Sequence, residues 1–170
     1  MAATDEELVR DAVAGSREAA AELFARHWPM AWRVAFTLTG TRAAAEDVAQ
    51  DAFERAFSTL ASFNGRSAFG TWLYRIVVNR ALTVRAREHR LLAGEPLERV
   101  GPAPEQLELA DAVAQLPADR RTVVALRYWL DFTPNEITVL LGLPAGTVNS
   151  RLARALAELR LTLEEDRDAD

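Results

Sequence analysis

The chain has 170 residues with twenty arginines, no lysine, no cysteine and a formal net charge of −5. The lack of cysteine excludes disulfides, thiolate catalysis and cysteine-based zinc sites, and the two histidines, His27 and His89, lie too far apart in sequence to suggest a metal site. No stretch is apolar enough to span a bilayer and the N-terminus is acidic, so we expect a cytoplasmic protein with no membrane insertion.

The charge is unevenly distributed along the chain. Residues 61–90 contain six arginines and one acidic residue, and residues 121–160 contain five arginines and three acidic residues. Acidic segments lie before, between and after these two stretches. Clustered arginines indicate contact with nucleic-acid phosphates, so the sequence predicts two such contacts on one chain.

Helical periodicity governs the first domain, which we expect to occupy residues 1–90. Its first three predicted helices each begin at a residue that can cap them, namely Thr4, Ser16 and Thr41. Gly40 should end the second helix, and we expect Pro29 to kink or split it.

The third predicted helix has an apolar face and an opposite polar stripe. The apolar face holds Ala49, Phe53, Ala56 and Leu60, and the stripe holds Asp47, Gln50, Asp51 and Glu54. Most such stripes are solvated helix surfaces. The functional alternative is a docking surface for a basic partner.

An aromatic, glycine-containing loop and an arginine-rich helix follow. Asn64 and Gly65 indicate a turn, and Ser67 is expected to cap the helix. The buried face should hold Phe69, Trp72, Leu73, Ile76, Val77 and Val84, and the other faces Arg66, Arg75, Arg80, Arg85, Arg87 and Arg90. An ordinary amphipathic helix with solvated arginines would show this pattern. So would a surface that binds a nucleic-acid backbone and stacks unpaired bases.

Periodicity lapses in residues 91–104, which we expect to form an acidic, extended linker. A second helical domain should occupy residues 105–165, and residues 166–170 should form an acidic tail that frays. The second domain should begin with a helix to Leu116 and, after Pro117, another from about Asp119 to Trp129.

The end of this domain predicts a helix-turn-helix. Thr133 should cap a short helix that ends at Gly142, and a longer helix follows. The longer helix should bury Val148, Leu152, Ala155 and Leu159 and expose Thr147, Ser150, Arg151 and Arg154. A helical hairpin with incidental arginines is the alternative to a reader of the major groove.

In this order and spacing, three stretches resemble the extracytoplasmic-function (ECF) sigma factors, the minimal two-domain class of the sigma-70 family. AAAEDVAQDAFERAF resembles region 2.2, FNGRSAFGTWLYRIVVNRAL resembles regions 2.3 and 2.4, and LPADRRTVVALRYWLDFTPNEITVLLGLPAGTVNSRLARAL resembles region 4. The resemblance implies an all-α protein of two small helical domains joined by a flexible linker, with no catalytic site, metal or cofactor. The implied partners are core RNA polymerase, through its β′ clamp helices and β flap, and promoter DNA. Any anti-sigma factor would be a separate protein.

The resemblance also assigns residues to three sets. The polymerase set, implied to dock on the clamp helices, is Asp47, Gln50, Asp51 and Arg55. The minus-ten set, implied to capture and melt that promoter element, is Phe63, Asn64, Gly65, Arg66, Ser67, Ala68, Phe69, Arg75, Asn79 and Arg80. The minus-thirty-five set, implied to read that element, is Thr147, Asn149, Ser150, Arg151 and Arg154.

Three positions in these stretches depart from the family pattern or have two readings. The motif places Trp72 among residues that melt DNA, but it shares a helical face with Leu73 and Ile76, which favours a place in the core. Asn149 stands where the family commonly has a basic residue, and Gly70 where it usually has a larger side chain.

Two other functions remain as alternatives. A stand-alone helix-turn-helix regulator would explain the second domain, but not the polar stripe or the first basic segment. An enzyme is the other alternative, but the sequence shows no nucleophile elbow, phosphate loop or metal-spaced cluster.

Overall fold

A computed structural model of the chain describes the backbone of residues 3–91 and 112–168, and the side chains of residues 3–87 and 112–164. All regular elements in these ranges are helical, which confirms the predicted all-α fold. The chain divides into two compact units, one around each described range. We call them unit 1 and unit 2.

The described part of unit 1 contains four helices. They are α1 (Asp5–Val13), α2 (Arg17–Thr39), α3 (Arg42–Ser58) and α4 (Phe69–Leu91), with a 3₁₀ turn at Leu60–Ser62 between α3 and α4. The side chains of Thr4, Ser16 and Thr41 accept hydrogen bonds from backbone amides in the first turns, which confirms the three predicted caps. Gly40 ends α2 in the left-handed conformation, also as predicted.

Helix α2 runs without a break through Pro29, so of the two predicted outcomes, a kink or a split, the split does not occur. Leu23 and Val34, on either side of the proline, are both fully buried. The packing of both halves of α2 in one core offsets the loss of a backbone hydrogen bond at the proline.

Small residues bring α2, α3 and α4 together. The fully or almost fully buried alanines of these helices are Ala31, Ala35, Ala45, Ala49, Ala52, Ala56 and Ala81. The predicted apolar face of α4 is correct for Phe69, Leu73 and Val77, which are buried, whereas Trp72, Ile76 and Val84 are half-buried. Val78 is buried although the periodicity did not indicate it, because α4 packs against both α2 and α3.

Helix α4 begins one residue later than the predicted cap implies. The first helical residue is Phe69, and the amide of Trp72 donates to the carbonyl of Ala68. Ala68 therefore occupies the capping position, and the prediction of Ser67 as the cap is wrong. The sequence signal was misleading because Ser67 belongs to the turn that starts at Asn64.

Unit 2 contains a helical turn at residues 112–115, α5 (Ala118–Val124), α6 (Pro134–Leu141) and α7 (Ala145–Asp168). Helix α5 continues into a π-helical turn at Ala125–Trp129, which the sequence did not predict. Helix α7 extends to Asp168 and so enters the predicted tail at residues 166–170. The predicted linker, apart from Leu91 at the end of α4, and the predicted helix before residue 112 lie outside the described residues.

Helices α6 and α7 form the predicted helix-turn-helix. Thr133 and Glu136 form a capping box, Pro134 lies in the first turn, and Gly142 ends α6 with φ 64°. The positive φ at this turn is the conformation that glycine adopts without a steric penalty. The predicted buried stripe of α7 is confirmed for Val148, Leu152, Ala155 and Leu159.

Candidate nucleic-acid interface

The loop of residues 63–68 forms a tight turn on the surface of unit 1. Gly65 adopts φ 68°, and the side-chain oxygen of Asn64 accepts a hydrogen bond from the amide of Arg66 at 3.1 Å. Asn64, Arg66 and Ala68 are exposed. A methyl group added at Gly65 would meet no atom within 4 Å, so the backbone conformation, not space, favours glycine there.

Three aromatic rings support this loop. The Phe63 ring lies 5.9 Å from that of Phe69 and 5.4 Å from that of Trp72. Phe69 is only 2% exposed, whereas Phe63 and Trp72 are half-buried. Phe69 therefore anchors the loop in the core. The expectation that Trp72 belongs to the core is correct only in part, because the residue is half-buried.

A partly buried chain of polar side chains connects three helices and packs against Phe69, which anchors the loop. The two ring nitrogens of His27 in α2 lie 2.8 Å from a carboxylate oxygen of Asp5 and 3.0 Å from the hydroxyl of Tyr74. Burial, and secondarily the Asp5 charge, raises the pKa of Tyr74 to about 12, so the hydroxyl keeps its proton at neutral pH. The His27 ring also packs edge-on against Phe69, with 5.1 Å between centroids.

The position of His27 accounts for Gly70. A Cβ atom at residue 70 would lie 3.1 Å from a His27 ring carbon and 3.2 Å from a Tyr74 ring carbon. Both rings are fixed by the hydrogen bonds just described, so a larger side chain would displace them.

The polar stripe of α3 lies on the surface of unit 1. Asp47, Gln50, Glu54 and Arg55 are exposed. Asp51 instead contacts α4, where one of its carboxylate oxygens lies 2.8 Å from Nε and 2.6 Å from Nη2 of Arg80. The side chains of Asp51 and Arg80 are 45% and 47% exposed.

A groove of about 380 Å³ contains this ion pair between α3 and α4. It is lined by Asp51, Ala52, Arg55, Ile76, Asn79, Arg80 and Thr83. The lining therefore includes members of the polymerase set and of the minus-ten set, which the sequence had assigned to separate partners. The remaining minus-ten residue of α4, Arg75, is exposed. Arg85, expected on an exposed face, is half-buried, and this burial lowers its pKa.

The minus-thirty-five set lies in the first turns of α7. Asn149, Ser150 and Arg154 are exposed, and Thr147 is half-buried. The Ser150 hydroxyl donates to the carbonyl of Thr147 at 3.0 Å. Arg151 is 29% exposed, and its Nε lies 3.2 Å from a carboxylate oxygen of Asp119 at the start of α5.

Asp119 is the residue that sequence reasoning missed at this surface. No local spacing links residue 119 to residue 151, and the contact exists only because α5 packs against α7. The available signal was weak: an acidic residue near a helix N-terminus, which usually interacts with its own helix.

Two other features of the described residues bear on function. They contain no group of three or more side chains that could hold a metal ion. None of their helices is long and apolar enough to cross a membrane.

Comparison with known proteins identifies the family. Residues 23–91 match the model of sigma-70 region 2, and residues 106–159 match that of sigma-70 region 4. The chain is 37% identical over 163 residues to the ECF RNA polymerase sigma factor SigM of Mycobacterium tuberculosis, covering 92% of this chain and 83% of SigM.

Solved structures agree with this match. CnrH, in complex with the cytosolic domain of CnrY, has a TM-score of 0.73 and 27% identity, covering 95% of this chain and 98% of CnrH. The sigma factor RpoE of Bartonella quintana, in complex with the anti-sigma factor NepR, has a TM-score of 0.67 and 25% identity, covering 84% of this chain and 95% of RpoE. The family models, the curated relative and the folds converge on one conclusion: the chain belongs to the ECF sigma factors of the sigma-70 family.

Proposed function

We propose that the two units of this sigma factor perform separate steps of promoter recognition for core RNA polymerase. Unit 1 docks on the polymerase and opens the minus-ten element, and unit 2 reads the minus-thirty-five element. The observation that carries this proposal is the loop of residues 63–68, in which the rings of Phe63, Phe69 and Trp72 support an exposed polar turn.

Opening a promoter requires at least one base to leave the stack, which costs a few kcal/mol. A protein offsets this cost by stacking a ring on the base, about 1–3 kcal/mol per base, and by hydrogen bonds to the exposed base edge. Phe63 and Trp72 present partly exposed rings, Asn64 and Ser67 supply polar groups, and Arg66 supplies a cation for phosphate. Phe69 serves the site by holding the loop, because its ring is buried.

The docking surface for the β′ clamp helices is the polar stripe of α3. Asp47, Gln50 and Glu54 are exposed on one helix, which suits an electrostatic contact with a basic partner. Arg55 of the polymerase set is also exposed on this helix. Asp51 belongs to the same surface and faces Arg80 in the free protein.

In unit 2, the first turns of α7 supply the reader of the minus-thirty-five element. A recognition helix contacts base edges through residues near its N-terminus, and Asn149, Ser150 and Arg154 are exposed there. Arg151 and Arg154 are the side chains suited to bidentate contact with guanine. The same unit is proposed to contact the β flap.

This function requires no catalytic group, so we propose a non-enzymatic initiation factor that acts in the cytoplasm, where polymerase and promoter meet. An anti-sigma factor is a further proposed partner, supported by the similarity to RpoE bound to NepR.

Run-off transcription tests the proposal. Core polymerase with this chain should transcribe a subset of templates from a GC-rich genomic library, and polymerase alone should not. Without polymerase, the net charge of −5 should keep DNA binding weak. Tight, sequence-specific binding by the chain alone at physiological salt would favour the stand-alone regulator.

The loop is tested by the double variant Asn64→Ala with Arg66→Ala. It should fold, bind polymerase and form closed complexes, but should fail to open duplex promoters. A pre-melted bubble template should partly restore transcription, and permanganate reactivity of thymines reports the opening directly.

A matched control separates base contact from loop geometry. Asn64→Asp keeps the oxygen that accepts from the Arg66 amide, and so keeps the turn, but it removes the amide donor. Normal opening by the alanine double variant would show that the loop is only a connector.

A further inference from the structure

We propose that Asp51 is shared by the two partners of unit 1: it holds Arg80 in the free protein, and polymerase docking on Asp51 releases Arg80 for promoter DNA. This inference rests on the proposed function, which assigns Asp51 to polymerase and Arg80 to DNA. It adds a coupling between the two contacts.

The geometry of the pair supports sharing. Two nitrogens of the Arg80 guanidinium lie within hydrogen-bond distance of the same Asp51 oxygen, at 2.8 and 2.6 Å. A guanidinium bound in this way has two of its donors directed at a carboxylate and unavailable to a phosphate. The Arg80 guanidinium, in turn, partly neutralises the Asp51 carboxylate and so weakens its attraction for a cation of the polymerase.

Exposure makes the exchange possible. Both side chains are nearly half-exposed, so neither charge is buried when the pair opens. Exposed ion pairs change an equilibrium by at most about fivefold. A cation of the polymerase can therefore displace Arg80 from Asp51 at small cost, and the released guanidinium then gains a phosphate contact that the pair had occupied.

The groove between α3 and α4 is lined by residues assigned to both partners. Arg55 of the polymerase set and Asn79 of the minus-ten set line it beside the ion pair. A partner that engages Asp51 and Arg55 on α3 therefore lies next to the groups on α4 that meet DNA. Because coupling between two binding equilibria is reciprocal, DNA bound at Arg80 should strengthen polymerase binding at Asp51 by the same factor.

The competing explanation is a fixed ion pair that only joins α3 to α4. Breaking a fixed pair would change the stability of unit 1. It would leave the affinity of Asp51 for polymerase, or of Arg80 for DNA, unchanged or reduced. Exchange predicts the opposite sign: removal of either member should strengthen binding by the other.

The first measurement uses the free, full-length chain and a fluorescein-labelled oligothymidine, with anisotropy as the readout. Asp51→Asn should bind the probe about two- to fivefold more tightly than the original chain, since about fivefold is the upper limit for an exposed pair. The control is Glu46→Gln, which removes the same charge from an exposed position of the same helix. Equal effects of the two substitutions would overturn the exchange.

The second measurement uses core polymerase. Arg80→Gln should bind it about two- to fivefold more tightly in the absence of DNA. The control Arg17→Gln removes one positive charge from an exposed position of α2 in the same unit. Weaker or unchanged polymerase binding by Arg80→Gln, with a normal circular dichroism spectrum, would overturn the proposal. Both differences should shrink as salt is raised, because exposed charges are screened.

The failures can be told apart. If Asp51→Arg still binds polymerase, the proposed docking surface is wrong and the exchange fails with it. If Asp51→Arg loses polymerase but Asp51→Asn and Arg80→Gln match their controls, the docking surface stands and only the exchange is wrong.

Discussion

Each unit contains an arginine of a proposed DNA set that is held by an acidic residue from an earlier helix. In unit 1 the pair is Arg80 with Asp51, and in unit 2 it is Arg151 with Asp119. The two pairs differ in exposure and in contact. Arg80 is 47% exposed and uses two nitrogens, whereas Arg151 is 29% exposed and its Nε lies 3.2 Å from the acid.

The difference indicates that the two ion pairs have different roles. Asp51 belongs to a surface proposed to bind polymerase, so its pair with Arg80 can be exchanged for two intermolecular contacts. Asp119 is not part of a surface proposed to bind polymerase. Its contact with Nε fixes the direction of the Arg151 guanidinium, whose terminal nitrogens lie at the far end of the group. In unit 2 we therefore expect the acid to orient the arginine and to stay in place when DNA binds.

The largest expected effect comes from reversing the charge of the acid in unit 1. Asp51→Arg opposes Arg80 and places a cation against a basic partner, which should cost several kcal/mol of polymerase binding where the contact is desolvated. Co-purification with core polymerase should be lost while circular dichroism is unchanged. Retained co-purification would show that the polar stripe of α3 is an ordinary solvated surface.

Truncating the arginines of α7 should have the next largest effect. Arg151→Ala and Arg154→Ala should each cost about 1–3 kcal/mol of minus-thirty-five recognition and relax the preference at particular base pairs. The measurement is binding of holoenzyme to promoter variants mutated singly in that element. A loss that is uniform across sequences would mean that these arginines contact phosphate only, and no loss would mean that the helix is misassigned.

A smaller effect is expected from the orienting acid. Asp119→Asn leaves Arg151 in place but weakens its hydrogen bond, so the holoenzyme should lose roughly 0.5–1.5 kcal/mol of discrimination between base pairs. Affinity for unrelated sequences should stay equal or rise, because one negative charge is removed. An equal loss on every sequence would indicate a structural role for Asp119 and remove the distinction between the two pairs.

The smallest effect is on stability. Asp51→Ala and Asp119→Ala should each lower the free energy of unfolding by less than about 1 kcal/mol, because both pairs are substantially exposed. Urea denaturation followed by circular dichroism measures this change. A larger loss for either variant would show that its pair is part of the fold, and would argue against exchange or orientation as its main role.

Local signals in the sequence were sufficient for the helix starts at Thr4, Ser16, Thr41 and Thr133. Caps such as Thr4 and Thr133 depend on residues three positions away, so the backbone geometry follows from the sequence alone. The buried stripe of α7 followed from periodicity for the same reason.

Contacts between helices could not be predicted in this way. Asp51 and Arg80 are 29 residues apart, and their pairing depends on how α3 packs against α4. The loop was predicted in composition but not in geometry: Ser67 looked like a cap, and the partial exposure of Trp72 depends on the rings of Phe63 and Phe69 around it. The π-helical turn at Ala125–Trp129 also has no signal in the local pattern.

Gly70 packs tightly against the rings of His27 and Tyr74, two residues after the loop of residues 63–68. A Cβ at residue 70 would lie 3.1 Å from the His27 ring. The side-chain sizes at positions 27 and 70 should therefore be inversely correlated among related sequences. A relative with a larger residue at the position of Gly70 should carry a smaller one at that of His27, or a shifted ring there. A chimera that combines His27 and Tyr74 of this protein with a larger residue at position 70 should therefore be destabilised, although His27 lies more than thirty residues upstream of the loop.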